Sequence, residues 1–295
     1  MGRITLRIDN TQLTDYCMCP RYWYYKYIKG LAPIGVPKRA PLERGTLVHL
    51  LLDYYYKRVN EFGWAGAWEQ THNCFEDLAK RVQLQNGDKD LIRSRIRDYE
   101  MKYRNTDFTP MIFAEKPQVE IGFTHPIVDT AAHLLVLEGR IDLITNQGIF
   151  VDHKTQQQAR DHCEYDTQFM CYCLATGLNQ VIVNYIVLSQ QFDPERTFRR
   201  PVYSYTKPVL QKFEQWLKRK MFEMVGCLQS GYFETDFSKC GGPYKVGPPC
   251  EYSELSHALT DTQEDQFMRA HYQVIEPWQP WTIQELQQTE KEIHK

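Results

Sequence analysis

The sequence has no long apolar run, and none of its hydrophobic segments reaches the length of a membrane-spanning helix. The N-terminus lacks the apolar region of a signal peptide. There is no internal repeat and no low-complexity tract. Hydrophobic residues make up 42% of the 295 residues and charged residues 24%, which is the composition of a globular protein. We therefore expect a cytoplasmic protein with an ordinary core.

The sequence also lacks a marked excess of either charge, since its formal net charge is −2. Composition alone does not indicate a nucleic-acid-binding protein. The charges are unevenly distributed, however. The first 45 residues carry mostly positive charge, the stretch 80–104 is again rich in Arg and Lys, and the charged residues after Glu251 are mainly acidic. This distribution is compatible with a basic groove on a near-neutral protein, or with solvated helix faces.

Periodicity and turn residues predict the order of the elements. We expect helices over 11–29 with a break at Pro20, over 42–60, over 65–105 with an interruption near 85–90, over 163–177, and from Pro208 to Gly231. We expect strands over 118–128, 133–144, 148–154, 180–189 and near 197–205, followed by a cysteine-bearing loop and a helical tail. This order predicts one α/β domain, 1–295, with a helical part over about 1–110, a core over about 111–235 and a C-terminal cap over about 236–295.

The stretch "EGRIDLITNQGIFVDHKT" reads as two strands joined by a turn. A three-residue loop with Gly148 in the left-handed conformation would pair Ile144 with Phe150 and place Asp142 opposite Asp152. Lys154 would point to the same face as Asp152. A two-residue turn at Asn146 and Gln147 would shift this register and separate the acids.

Two close carboxylates repel each other unless a cation lies between them. Mg²⁺ prefers oxygen ligands and can orient and activate a water molecule beside a phosphodiester. A neighbouring lysine can donate to that water or to a phosphate oxygen. The pattern therefore indicates hydrolysis of phosphodiester bonds, although a charged outer face with weak surface pairs would have the same sequence.

Two further motifs lie on predicted helices. In "GTLVH" and "QFMCY" the first and last residues are four apart and share a helix face. His49 is a candidate metal ligand, and Asp53 one turn later could orient its ring. Gln168 and Tyr172 could position the lysine or contact DNA. Each motif alone is equally compatible with an ordinary packed helix.

Together and in this order, the motifs resemble those of RecB-like nucleases in the PD-(D/E)xK superfamily, which includes RecB and AddB nuclease domains and CRISPR-associated RecB-like exonucleases. The N-terminal "LTDYCMCPRYWYYKYI" is similar to the opening helix of that family. The four motifs are Gly45-Thr46-Leu47-Val48-His49, Gly139-Arg140-Ile141-Asp142, Asp152-His153-Lys154-Thr155 and Gln168-Phe169-Met170-Cys171-Tyr172.

The resemblance implies a restriction-endonuclease-like core, with a central mixed sheet flanked by helices, a helical insertion and a C-terminal cysteine-bearing cap. It implies that Mg²⁺ or Mn²⁺ is held by His49, Asp142, Asp152 and the main-chain carbonyl of His153. Lys154 would then be the catalytic lysine, supported by Gln168 and Tyr172.

Nine cysteines in a reducing compartment suggest free thiols or a metal site. Many relatives of this kind hold an iron–sulfur cluster with one N-terminal and three C-terminal cysteines. Cys19, Cys240 and Cys250 match three positions, but the fourth is Ser256. Cys227 or His257 could complete a site for a cluster or for zinc. Alternatively the site is degenerate and the loop is held by packing.

The resemblance favours a DNA exonuclease that acts in recombination, repair or end processing. A CRISPR-associated trimming nuclease, with a recombination or CRISPR-adaptation partner, is the second hypothesis. A non-catalytic DNA-binding or scaffold protein is the third. No element that would read base edges is recognisable, so we expect DNA that is single-stranded or has a free end, bound along basic and aromatic residues. The basic candidates are Arg21, Lys26, Lys29 and Arg44.

Overall fold

A computed structural model of the chain describes residues 2–35, 40–158, 166–240 and 250–276. Several sequence predictions fall outside these ranges: the basic residues Lys38 and Arg39, the first residues of the helix expected over 163–177, most of the cysteine-bearing loop and the end of the tail. No helix within the described ranges is both long and apolar enough to cross a membrane.

The helices agree with the sequence predictions in their order, but the interruption expected near 85–90 lies at 80–85, because the next helix already begins at Asn86. Pro20 separates α1 from α2, a π-helical turn at Tyr24–Ile28 follows, and Gly231 ends α8 in the left-handed conformation. The bounds are α1 Asn10–Met18, α2 Pro20–Trp23, α3 Ala40–Asn73 with a non-helical Gly63, α4 Phe75–Ala79, α5 Asn86–Tyr103, α6 Thr167–Thr176, α7 Pro194–Thr197, α8 Lys207–Ser230, α9 Phe237–Cys240, α10 Ser253–Ser256 and α11 Asp261–His271.

The long strands are also confirmed, and short ones are added. The bounds are β1 Ile4–Ile8, β2 Leu31–Pro33, β3 Ile112–Phe113, β4 Lys116–Pro117, β5 Val119–Asp129, β6 His133–Ile144, β7 Phe150–Gln156, β8 Gln180–Val187, β9 Phe198–Arg199, β10 Val202–Ser204 and β11 Tyr272–Val274. The prediction of a single strand near 197–205 is wrong in detail, because two short strands lie in this segment. Pro201 lacks a backbone N–H and separates β9 from β10.

The chain forms two compact units. The first comprises Met1–Val36, Thr124–Gly139 and Gln211–Lys295, and the second comprises Pro37–Phe123 and Arg140–Leu210. In the first unit β1 runs parallel to the beginning of β6, and β2 pairs with β11. A cluster around Tyr25, Leu31 and Tyr252 forms its aromatic core. The organisation as a single nuclease domain stays a prediction.

In the second unit the end of β6 pairs antiparallel with β7, and β7 runs parallel to β8. Strands β9 and β10 both pair antiparallel with β8, and β5 pairs with β6. The resulting sheet is mixed and flanked by helices, as expected. Helix α3 buries Leu47, Leu51 and Tyr55 in one core with residues from the sheet, which include Leu143, Val151 and Ile186.

The β6–β7 turn has the register that Gly148 predicts. Ile144 pairs with Phe150 and Leu143 with Val151. The Thr145 backbone N–H donates to Ile149 over 2.8 Å. Gly148 has φ +72°, a conformation that L-residues with a Cβ adopt only with strain. The alternative two-residue turn is therefore wrong.

We predict that Gly148→Ala lowers the free energy of unfolding by about 1–2 kcal/mol, because alanine is strained at this φ. Urea denaturation monitored by circular dichroism measures this loss. Gly226→Ala is the matched control, because Gly226 lies inside α8 and an added Cβ would meet no atom within 4 Å. The control should gain about 0.5–1 kcal/mol from higher helix propensity. Equal effects of the two substitutions would contradict the role given to Gly148.

Candidate active site

The second unit brings together the acids of the hairpin. Asp142 lies near the end of β6, and Asp152 lies in β7 with only 1% of its surface exposed. The backbone N–H of His153 donates to Asp142 Oδ2 over 2.7 Å. The hairpin register predicted from the sequence thus brings the Asp142 carboxylate against the backbone of His153, the residue next to Asp152.

The Asp142 side chain meets two other side chains, and the three come from three different elements. His49 of α3, Glu120 of β5 and Asp142 of β6 each offer one ligand atom, and these atoms all lie within 4.8 Å of one another. His49 Nδ1 lies 3.7 Å from Asp142 Oδ2. We call these residues the imidazole–carboxylate cluster. It is the only group of three such ligands among the residues that the structure describes.

Glu120 was not identified from the sequence. It has φ +53°, which is rare for a residue other than glycine, and it forms an ion pair with Arg140 over 2.6 Å. The one available signal was an acid inside the predicted apolar strand "QVEIGF". Strand alternation could not place its side chain, because the positive φ interrupts the regular alternation of β5.

The electrostatics of the cluster favour a cation. Burial raises the pKa of Glu120 to about 8, and the charge of Asp142 adds to this effect. Burial also opposes ionisation of Asp142, but His49 and the backbone N–H of His153 together hold the pKa of its carboxyl below the usual value. An imidazole and two carboxylates at this separation are donors that suit a divalent cation. The residues present therefore fit a metal ion.

Lys154 is the centre of a second group, the lysine cluster, formed by Asp152, Lys154, Gln168 and Tyr172. Lys154 Nζ donates to Gln168 Oε1 over 2.9 Å and lies 2.8 Å from Asp152 Oδ2. Gln168 Nε2 donates to Asp152 Oδ1 over 3.0 Å and to the Tyr172 hydroxyl over 2.6 Å. The amide orientation is fixed because an ammonium group can only donate.

Helix α6 positions Gln168 within this cluster. The Asp166 side chain caps the helix by accepting from the Gln168 backbone N–H over 2.8 Å. Gln168 and Tyr172 then lie one turn apart on the same helix face. The four-residue spacing read from the sequence is thus explained by one amide that contacts both Tyr172 and the lysine–aspartate pair.

Burial dominates the electrostatics of the lysine cluster. It raises the pKa of Asp152 to about 7 in spite of the opposing charge of Lys154. Burial works against the charge of Lys154, but Asp152 outweighs it and raises the pKa of the ammonium group. Asp152 Oδ2 lies 2.8 Å from Lys154 Nζ, so the two side chains form a buried ion pair.

Gly45 explains why the first motif begins with glycine. A Cβ at Gly45 would lie 2.9 Å from Thr155 Oγ1 in β7. Helix α3 therefore approaches β7 closely one turn before His49. Asp53, one turn after His49, forms an ion pair with Lys57 over 2.8 Å.

The predicted cysteine ligands lie in the first unit. Burial raises the pKa of the Cys250 thiol, and the nearby thiols of Cys240 and Cys19 contribute to the rise. Their sulfur atoms do not form a three-ligand group within 4.8 Å among the described residues. Zinc ligands would lie about 3.8 Å apart in a tetrahedral site with Zn–S bonds near 2.3 Å. The described geometry is thus not a preformed zinc site, and an iron–sulfur cluster stays a prediction.

The two candidates for a fourth ligand have other contacts. Cys227 Sγ lies 3.5 Å from the Tyr16 hydroxyl, and the His257 ring stacks on Phe237 with centroids 6.1 Å apart. Cys171 and Cys173 are buried inside α6.

Three of the four basic candidates for DNA binding are paired within their own unit. Arg21 pairs with Glu264, Lys26 with Asp15 and Arg44 with Asp88, each over 2.7–2.8 Å. Lys29 is exposed, with its ammonium group 5.6 Å from the Tyr24 ring centroid.

The neighbouring aromatic residues are largely occupied by packing. Trp23 and Tyr25 are fully buried, and Tyr24 stacks on Phe233 with centroids 4.2 Å apart. A role of these rings in stacking on bases stays a prediction.

A mixed sheet that carries paired acids and a lysine, beside a helix that presents a histidine, defines a nuclease of the restriction-endonuclease-like class. A family model, the PD-(D/E)XK nuclease superfamily, matches residues 10–255. The chain belongs to this superfamily.

Other comparisons are more distant. A solved structure described as "Putative exonuclease" from Eubacterium rectale shares 13% identity at a TM-score of 0.44, covering 86% of this chain and 94% of that one. The structure of SSO0001 shares 10% identity at a TM-score of 0.28, covering 60% and 74%. No curated protein matches the sequence.

We predict that Gly45→Ala reduces DNA cleavage by about tenfold or more, because overpacking by a single methyl against Thr155 costs about 1–3 kcal/mol and moves α3 with His49. Initial rates and thermal melting measure the two consequences. The double variant Gly45→Ala/Thr155→Ala should recover much of the loss, while Thr155→Ala alone provides the control. An unimpaired Gly45→Ala enzyme would show that the close approach is not needed.

Proposed function

We propose that the protein is a metal-dependent deoxyribonuclease that hydrolyses phosphodiester bonds from DNA ends. The observation that carries this proposal is the imidazole–carboxylate cluster, which lies beside the lysine cluster in a chain of the nuclease superfamily. The His153 backbone N–H, which donates to Asp142, comes from the residue between Asp152 and Lys154. A scaffold protein without turnover would have no need for two such clusters in contact.

His49, Glu120 and Asp142 would hold Mg²⁺ or Mn²⁺, and Asp152 and the main-chain carbonyl of His153 remain further ligand candidates. When bound, the ion supplies Lewis-acid stabilisation of a phosphoryl oxygen and lowers the pKa of a coordinated water. Asp142 is oriented for this task by the His153 N–H. Glu120 adds a ligand that the sequence motifs do not contain.

Lys154 would act as the catalytic lysine. Its ammonium group is held by the Gln168 carbonyl and by Asp152, and its pKa is raised, so it remains charged at neutral pH. A charged, donor-only group in this position can bind a phosphate oxygen or a developing negative charge. Gln168 fixes the position of Lys154, and Tyr172 in turn fixes that of Gln168.

The exonuclease assignment rests on the order of the four motifs, which resembles that of RecB-like nucleases. The Gln168–Tyr172 motif supports it, because Gln168 contacts Tyr172 as well as Lys154 and Asp152. We place the activity in recombination, repair or end processing within the cytoplasm. A CRISPR-associated trimming role would use the same residues.

We predict that cleavage requires Mg²⁺ or Mn²⁺ and is abolished by EDTA. Glu120→Gln and Asp142→Asn should each weaken Mn²⁺ binding by about tenfold or more, because each removes a charged ligand. Isothermal titration calorimetry gives the affinity without reference to activity. The exposed Glu115→Gln, on the turn between β3 and β4, is the matched control. If Glu120→Gln bound Mn²⁺ with unchanged affinity, Glu120 would not be a metal ligand. It would then serve only as the ion-pair partner of Arg140.

We predict that linear DNA is shortened progressively while covalently closed circles resist digestion. The test compares linear and closed forms of single- and double-stranded DNA of one sequence, with end-labelled and internally labelled substrates. Lys154→Ala should lose cleavage of every form by about 100-fold or more, since a charge that stabilises the transition state is removed. The exposed Lys212→Ala serves as control. Equal rates on circles and linear molecules would indicate an endonuclease.

A further inference from the structure

A buried polar network contacts the His153 side chain and shares no residue with either cluster. It consists of Arg200, Asp107, Tyr99, Tyr56 and Asn184, and we call it the Arg200 network. Arg200 Nη2 donates to Asp107 Oδ1 and to the Tyr99 hydroxyl, each over 2.6 Å. Arg200 Nε donates to Asn184 Oδ1 over 3.0 Å. The Arg200 side chain is 14% exposed and the Asp107 side chain 0%.

The aromatic surroundings hold Arg200 in one orientation. Its guanidinium carbon lies 3.4 Å from the ring centroid of Tyr103 and 4.0 Å from that of Phe108. Burial opposes the charge of the guanidinium group, but Tyr99 and Asp107 raise the pKa of Arg200 above its usual value. A planar cation between rings, with fixed donors, is well suited to orient its acceptors.

The direction of each hydrogen bond in the network can be deduced. Arg200 can only donate, so the atom of Asn184 that faces it must be the oxygen. The Asn184 amide nitrogen therefore faces the Tyr99 hydroxyl at 3.0 Å and His153 Nδ1 at 2.9 Å. Because this nitrogen is a donor, His153 Nδ1 must accept. The neutral His153 ring then carries its proton on Nε2.

The two tyrosine hydroxyls determine the remaining hydrogen-bond directions in the network. The Tyr56 hydroxyl donates to Asp107 Oδ1 over 3.0 Å. The contact of 2.9 Å between the two hydroxyls must therefore run from Tyr99 to Tyr56, because Tyr56 has no second hydrogen to donate. One arrangement of hydrogens satisfies all these bonds, so the network presents a single donor to His153.

His153 connects this network to Asp142. Its ring stacks on Tyr56 with centroids 5.5 Å apart and an interplanar angle of 4°, and its Nδ1 is held by Asn184. Its backbone N–H donates to Asp142 Oδ2, the oxygen 3.7 Å from His49 Nδ1. The side chain of His153 is thus pinned on the network side, while its backbone orients a candidate metal ligand.

We propose that Arg200 and Asn184 are positioning residues of the nuclease: they fix His153 as the Nε2–H tautomer and thereby hold Asp142 in place for the metal ion. This inference rests on the proposed function. The contrasting explanation is that the network only stabilises the core. The two explanations differ in whether a change in the network that leaves the fold intact alters the metal site.

The first measurement uses the unmodified protein. Histidine ¹⁵N shifts in long-range ¹H–¹⁵N NMR spectra, assigned with His153→Gln, report the tautomer without any cleavage assay. We expect the Nε2–H form of His153. The Nδ1–H form would overturn the proposal directly, whether or not the protein cuts DNA.

The second measurement uses Asn184→Asp, which keeps the shape of the side chain but replaces the donor to His153 by an acceptor. A carboxylate can only accept, so His153 should then carry a proton on Nδ1. Mn²⁺ affinity by calorimetry and kcat should each fall by about tenfold or more, as is typical when a residue supporting a ligand is lost, with KM for DNA nearly unchanged. Asn179→Asp, at an exposed position one residue before β8, makes the same chemical change as a control.

Arg200→Lys provides an independent variant that keeps the charge beside Asp107 but loses the Nε bond to Asn184. It should weaken Mn²⁺ binding in the same direction, with the exposed Arg196→Lys as its control.

If either network variant folds and matches its control in Mn²⁺ affinity and kcat, the positioning role is wrong. Should neither variant fold, the Nδ1–H form in the unmodified protein would still overturn the proposal. Failure of the wild-type protein to cut DNA would count against the proposed function alone, since tautomer and Mn²⁺ affinity need no turnover.

Discussion

The backbone N–H of His153 donates to the Asp142 carboxylate across the β6–β7 hairpin, and this bond joins the two clusters of the candidate site. On one side of it lie His49 and Glu120, which converge on Asp142. On the other side, Asp152 and Lys154 flank His153 in β7. Strand β7 runs in the interior of the sheet between β6 and β8, and it carries Asp152 and Lys154 together with the backbone N–H that orients Asp142. The hairpin register is therefore the constraint on which the chemistry depends.

Much of the fold could be predicted from the sequence, because its signals are local. Gly148 fixes the turn and hence the register of two strands, and Pro20 and Gly231 mark helix boundaries by their backbone preferences. The pieces that were missed are short strands such as β1 and β2, whose formation depends on pairing with distant segments. A run of three to five residues carries too little periodicity to be recognised alone.

The residues of the candidate site also fall into those that local sequence signals could predict and those that depend on distant segments. The residues placed within one helix or one hairpin could be predicted, among them Asp142, Asp152, Lys154 and Gln168. Glu120 could not, because a positive φ in β5 directs it toward Asp142. Arg200, Asp107 and Asn184 could not either, since they meet from segments up to 93 residues apart and share no spacing. Charge counts could not show that Arg21 and Arg44 pair with Glu264 and Asp88, which lie outside the basic N-terminal stretch, and a role of these basic residues in DNA binding stays a prediction.

The backbone of Glu120 has a consequence for how stability and activity can be balanced in this protein. Glutamate in the left-handed region costs about 1–3 kcal/mol, and such strain persists only where the surroundings impose it. Glycine or asparagine would adopt the same φ more readily. Replacing Glu120 by asparagine should therefore give a more stable chain with a poorer ligand set. An unguided search for thermostable variants would thus select against the candidate metal site, so position 120 should be held constant when this protein is engineered.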